Sequence, residues 1–177
     1  LKVADERLLT VHSSGLSGSI FRYREAEWEL SAVGRHQIRN ALTVLEILSI
    51  LRDKGLRIPD ADIASAFRNF RFAGRQEIVL RCPAVLVDGS HNRDGIERLC
   101  ETLDESLEDR RLIAVMGMFA DKDYRDAIPM VARRASVFFA ARPERPRALP
   151  ADAVAETAKP HCGDVRLVPR VQDALCA

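Results

Sequence analysis

The stretch PAVLVDGSHN, residues 83–92, decides how this chain reads. Residues 84–87 (AVLV) form a short apolar run rich in β-branched side chains, the pattern of a strand buried on both faces of a parallel sheet. The run stops at Asp88-Gly89-Ser90-His91-Asn92, after which Ile96, Leu99, Cys100, Leu103 and Leu107 recur at helical spacing. An acid, a glycine, a hydroxyl, an imidazole and an amide thus gather where a strand hands over to a helix. In open α/β sheets, ligands bind where loops converge beyond the carboxyl ends of the strands. Asn92 or Asp94 also suits the N-cap of that helix, so a well-capped turn is the competing reading of the same residues.

Downstream the alternation continues. Residues 112–116 (LIAVM), 137–140 (VFFA) and 165–168 read as buried strands. Helices are expected over residues 94–107, 124–134 (interrupted or kinked at Pro129), 151–159 and 171–176. Strands separated by helices of this length imply right-handed crossovers, so residues 77–177 are expected to form a Rossmann-like, mostly parallel sheet with helices on both faces.

Upstream the pattern differs. Residues 1–18 read as strand and turn, and residues 20–30 as a strand or hairpin. Gly34-Arg35-His36-Gln37 opens a helix whose stripe is Ile38, Ala41, Leu42, Leu45, Leu48 and Leu51, ending at Lys54-Gly55. Pro59-Asp60 starts another, with Ile63, Ala66, Phe67 and Phe70 on one face, which together make an αα-hairpin. Phe72-Ala73-Gly74-Arg75-Gln76-Glu77 breaks the periodicity, and a domain boundary is expected there.

The totals narrow the function. The chain has 177 residues, 47% hydrophobic and 30% charged, with a net charge of +1. No overall field recruits nucleic acid or an anionic membrane, and the arginines are scattered. No apolar run approaches a membrane span, and residues 1–10 are not a signal peptide. Cys82, Cys100, Cys162 and Cys176 show no CxxC pairing or zinc spacing, which fits a reducing cytoplasm. Residues 142–150, with three prolines and three arginines, read as a stiff surface loop.

Several chemistries lack their signatures. No GxGxxG follows a strand, and neither GxxxxGK[ST] nor GxSxG is present. His12, His36, His91 and His161 offer few metal ligands, and Ser90 makes a poor nucleophile between Asp88 and His91. What remains is single polar residues at segment edges. Asn40 lies near the start of a helix, where its amide can read a base edge or cap a neighbouring chain. Arg75 follows a glycine at the expected boundary, and its guanidinium suits a phosphate or an interdomain salt bridge. Asp88 can accept from ribose hydroxyls or cap a turn, and His91 can donate to a phosphate or carboxylate.

Five segments together resemble one family. GRHQIRNA (residues 34–41) is similar to the GxHQxxNA segment of the folylpolyglutamate synthase/dihydrofolate synthase branch of the Mur ligase superfamily. FAGRQE (72–77) resembles its PGR-E linker, and VDGSHNRDGI (87–96) its DGAHNPDG segment. GMFADKDY (117–124) and RALPADAVAE (147–156) resemble two further stretches in the same order. Ser90 stands for the usual alanine, Arg93 for the proline, and Phe72-Ala73 for a Trp-Pro-like pair.

The resemblance implies that residues 1–73 are the C-terminal portion of the central ATP-binding domain. Residues 74–177 would be the glutamate ligase domain, truncated at its end. It implies ATP-dependent ligation of L-glutamate to dihydropteroate or to the γ-carboxylate of folates through an acyl phosphate. Asn40, Arg75 and Asp88 would contact ATP, and His91 would sit near the γ-phosphate and the incoming glutamate. Mg²⁺ would be held by residues upstream of Leu1, where the P-loop also belongs, so the chain alone is expected to be inactive. A cytoplasmic monomer acting on small molecules, with no nucleic-acid or membrane partner, is expected. The alternatives are another Mur-type amino-acid ligase, for which RALPAD and DGSHN are a poor match, or a non-catalytic nucleotide-binding module.

Overall fold

Alternating burial along residues 18–30 builds the first sheet. In the structure, a computed structural model describing residues 3–107 and 110–175, three antiparallel strands form a meander: β1 (Leu9–Gly15), β2 (Gly18–Tyr23) and β3 (Ala26–Leu30). Ser19, Phe21 and Tyr23 of β2, with Trp28 and Leu30 of β3, point to the core, while the residues between them face outward. The β2–β3 turn carries Arg24 at φ 56°, and it separates two alternating runs that in sequence read as one irregular segment.

Helices α1 (Arg35–Asp53) and α2 (Asp60–Asn69) follow in the order expected. Ile38, Ala41 and Leu42 of α1 and Ile63 and Phe67 of α2 join Phe21, Tyr23, Trp28 and Leu30 in one core. Phe67 meets Trp28 edge-on, with ring centroids 5.7 Å apart. Ala66 and Phe70, expected on the same face, are exposed. The apolar stripe of α1 contains one charged residue, Glu46, which is only 4% exposed. It accepts from the Tyr23 hydroxyl at 2.7 Å and from Arg24 Nη2 at 2.6 Å. The charge is thus buried with both an ion-pair and a hydrogen-bond partner, as a desolvated carboxylate requires.

Strand β5 (Ala84–Val87) departs from its sequence reading. It pairs antiparallel with β4 (Glu77–Arg81) in a two-stranded ladder, and none of its four residues is buried. An apolar run of four residues satisfies the pattern of a doubly buried strand and of a hairpin arm alike, because neither length nor periodicity separates them. The chain divides into two compact units, residues 1–89 and 90–177, with this hairpin in the first.

The second unit is a parallel three-stranded sheet in the order β6 (Ile113–Met116), β7 (Val137–Ala140), β8 (Val165–Leu167). All four residues of β7 are buried. Phe138 and Ala140 face a core built with α3 (Arg93–Ser106), α4 (Tyr124–Ala132) and α5 (Ala151–Ala158). Val137 and Phe139 face the other side, with Ala174 of α6 (Val171–Leu175). Helices therefore cover both faces, and the continuous apolar run VFFA is the mark of that double burial. Helix α4 runs without interruption across the buried Pro129. Cys176, expected to end α6, lies outside the described residues. Arg134 grips Asp104 through two hydrogen bonds of 2.6 Å, joining the end of α4 to α3, and holds that carboxyl below the usual range.

Candidate functional site

Two left-handed residues shape the segment that carries Arg75. Gly74 (φ 68°) and Gln76 (φ 44°) flank it, and the turn is tied down from three directions. Gly74 N–H donates to the Glu77 carboxylate at 2.9 Å, and Gly89 N–H donates to the Gly74 carbonyl at 2.7 Å. Gln76 N–H donates to Asp88 Oδ2 at 3.0 Å. The glycine-arginine pair and the Asp88-Gly89 pair, fourteen residues apart for Gly74 and Asp88, are therefore one locked turn. Only Gly and, at a cost, a few other residues adopt such φ values, so the strain at Gln76 is held by these surrounding bonds.

The start of α1 abuts the same turn. A Cβ at Gly34 (φ 97°) would lie 2.7 Å from the His36 ring and 2.8 Å from Gln76 Oε1. Gln76 is 4% exposed, and among the described residues its Oε1 has no hydrogen-bond partner. Asn40 stands one turn beyond His36 on the same face of the helix, exposed, with its amide donating to Gln37 Oε1 at 3.1 Å. Arg75 is exposed and Asp88 half-buried. The structure thus brings the Arg75 turn, Asp88 and the start of α1 together within the first unit, and Asn40 lies further along that helix.

His91 belongs to the second unit. It is exposed and precedes Asn92, the N-cap of α3, whose Oδ1 accepts from Gly95 N–H at 2.9 Å. Capping is thus done by Asn92 and not by Asp94, and it positions the loop that bears His91. Because α3 feeds β6, its N-terminus lies at the carboxyl edge of the parallel sheet. Residues 117–123 after β6 and residues 141–150 after β7 emerge at that edge as well.

Those two loops are clamped together. Arg147 Nη1 donates to Asp121 Oδ2 at 3.0 Å, and its guanidinium stacks over the Phe119 ring at 5.3 Å. Ala120 N–H donates to the Arg147 carbonyl at 2.9 Å, and Phe119 bridges Ala148. Sequence reading had marked both segments without assigning a residue in either. A basic and an acidic residue at two strand ends was the available signal, and the pairing needs the fold to be seen. Among the described residues, no three His, Cys, Asp or Glu side chains gather as a metal site. No helix among them is long and apolar enough to cross a membrane.

Residues 74–177 match the family described as Mur ligase, glutamate ligase domain. The chain is 31% identical over 119 residues to a dihydrofolate synthase/folylpolyglutamate synthase of Bacillus subtilis, covering 67% of this chain and 28% of that protein. Its fold matches folylpolyglutamate synthase from Thermotoga maritima with a TM-score of 0.82 at 25% identity, over 96% of this chain and 41% of that one. It also matches a bifunctional folylpolyglutamate synthase/dihydrofolate synthase of Yersinia pestis complexed with AMPPNP and a Mn ion, with a TM-score of 0.71 at 23% identity, over 96% and 39%. The chain thus spans under a third of the B. subtilis relative and about two fifths of each structure. The match over residues 74–177, more than half of the chain, places this chain in the Mur ligase family.

Proposed function

We propose that this chain is the C-terminal part of an ATP-dependent ligase that joins L-glutamate to dihydropteroate or to the γ-carboxylate of a folate. Residues 1–73 would belong to the central nucleotide-binding domain and residues 74–177 to the glutamate ligase domain. The observation that supports the reading is the locked turn that carries Arg75, bonded to Asp88 and Gly89 and set against the start of α1.

In this reading ATP transfers its γ-phosphoryl group to the acceptor carboxylate, leaving ADP and an acyl phosphate. The amino nitrogen of glutamate attacks the acyl carbon, loses a proton and expels inorganic phosphate. Each role follows from side-chain chemistry. Asn40 presents an amide to the base. Asp88 accepts from ribose hydroxyls. Arg75 offers a fork of donors to phosphate oxygens as charge builds on them. His91 donates to the transferring phosphate or to the carboxylate of the entering glutamate. AMPPNP and Mn in the Y. pestis structure support ATP and a divalent metal at the level of the family. Among the described residues no three His, Cys, Asp or Glu side chains gather that could hold the metal by themselves.

The test is Arg75→Ala in the whole gene product, assayed for ATP-dependent glutamate ligation. A loss of one preorganised donor to the developing charge lowers kcat/KM by about 10²–10³-fold. An unchanged kcat/KM ends the assignment. Ligation of glutamate to dihydropteroate or tetrahydrofolate supports the folate reading, and turnover only with a UDP-linked muramyl precursor replaces it with another Mur-type ligase.

A further inference from the structure

The carboxyl edge of the parallel sheet carries a second basic feature, separate from His91 and from the Arg147–Asp121 clamp. A cavity of about 370 Å³ opens between the loop after β7 and the loop after β8. Three arginines line it, Arg142, Arg145 and Arg170, against one carboxylate, Glu144. In a chain with net charge +1, this is a local concentration of positive charge. Arg170 is already gripped by Asp173, through bonds of 2.9 and 3.3 Å. Arg142 and Arg145 are exposed, and among the described residues neither has an ion-pair partner.

The cavity is built rather than incidental. Pro143, Pro146 and Pro169 form its apolar wall and stiffen both loops. Arg145 N–H donates to the Pro143 carbonyl at 2.8 Å, and Ala148 N–H donates to the Arg145 carbonyl at 3.0 Å. Beneath them Ala141, fully buried, donates to the Met116 carbonyl at 3.0 Å. The backbone that bears Arg142 and Arg145 is therefore a rigid frame, so only their side chains remain to be ordered on a ligand.

We propose that this cavity is a subsite for the carboxylates of a γ-linked oligoglutamyl tail. Each γ-glutamyl unit carries one α-carboxylate and a two-methylene spacer. Guanidinium groups alternating with proline faces match that alternation of anion and aliphatic chain. A single phosphate would use the charge and leave the proline wall unmatched. The proposal rests on the ligase reading for its ligand, since that reaction both consumes and produces such tails.

The experiment measures binding of γ-linked triglutamate to this chain by calorimetry at low ionic strength, with inorganic phosphate as the competing anion. The expected result is one site, bound at least ten-fold more tightly than phosphate, and weakened by added salt. The double variant Arg142→Ala/Arg145→Ala, both exposed, weakens it about ten-fold, the scale of two guanidinium–carboxylate pairs, and Arg142→Lys/Arg145→Lys weakens it less. Unchanged triglutamate affinity in the alanine double variant, no triglutamate binding at all, or phosphate binding as tightly as the peptide each overturns the proposal. The assay needs neither ATP nor turnover. Triglutamate binding alongside a whole gene product that fails to ligate glutamate therefore sinks the ligase reading alone, while ligation by the whole gene product without triglutamate binding sinks the subsite alone.

Discussion

A methyl group added at Gly117 tests how the loops at the sheet's carboxyl edge are packed. Gly117 does not have a left-handed φ, so alanine is compatible with its backbone and the obstacle is steric. The new Cβ would stand 2.6 Å from Pro143 Cδ and 2.7 Å from the Ala141 carbonyl oxygen, where ordinary contact begins at 3.4 Å. Neither neighbour is the loose end of a side chain. One is a ring whose residue accepts from Arg145 N–H, and the other is backbone of a fully buried residue. Overpacking of this kind costs about 1–3 kcal/mol. Gly163 supplies the control, because it has no atom within 4 Å of the corresponding position and lies in the same unit. Both substitutions gain the same roughly 0.4–1 kcal/mol from a stiffer unfolded chain, so their difference isolates the steric cost. Urea unfolding followed by far-ultraviolet circular dichroism should place Gly117→Ala below Gly163→Ala by about 1–3 kcal/mol. Two variants unfolding within about 0.5 kcal/mol of each other would show that the loops yield freely, and the rigid frame argued for the arginine cavity would fall with them.

Phe138→Ala removes a ring that is fully buried in the middle strand, and the same unfolding assay should show a loss of about 3–5 kcal/mol. Tyr23→Phe deletes a hydroxyl that donates to Glu46 and accepts from Asp5 N–H; a cost of about 1–3 kcal/mol is expected, and a neutral result would mean Arg24 alone satisfies the buried carboxylate. Acid should erode stability through carboxylates held low by arginine partners: Asp5, lowered to about 2 beside Arg7, and Asp104, Asp164 and Asp173, lowered by Arg134, Arg166 and Arg170. Their folded values lie below the unfolded value, so the contribution is present above about pH 4 and is lost as pH falls toward 2. The stability gap between the wild type and Asp104→Asn should therefore be present at pH 6 and narrow as pH falls below the unfolded carboxylate range, and a gap that does not change with pH would refute the attribution.

Much of the architecture was legible because burial imposes a period. The stripe of α1 and the run VFFA each announce how many of their faces are covered. Residues 84–87 were misread because a four-residue apolar run carries no such information, and only the pairing with β4 reveals its partner. Glu46 was passed over for a related reason. A charge inside an apolar stripe looks like a flaw until Tyr23 and Arg24 arrive from another element. At the candidate site, residue types and order pointed to Asn40, Arg75, Asp88 and His91. The bonds that lock Gly74, Gln76 and Asp88 are mostly backbone, and backbone donors leave no trace in side-chain identity. The clamp between Arg147 and Asp121 was illegible for want of the crossover that sets two strand ends side by side.

The sheet of the second unit has a consequence for how the protein behaves when concentrated. Among the described residues each outer strand has one edge without a paired strand in that unit, yet β6 has four residues and β8 only three. A foreign strand docking there gains a handful of hydrogen bonds, each worth roughly 1 kcal/mol net, against an association penalty of about 4 kcal/mol or more. Self-assembly along the backbone is therefore close to break-even, and the balance falls to the exposed side chains of Ile113 and Leu167.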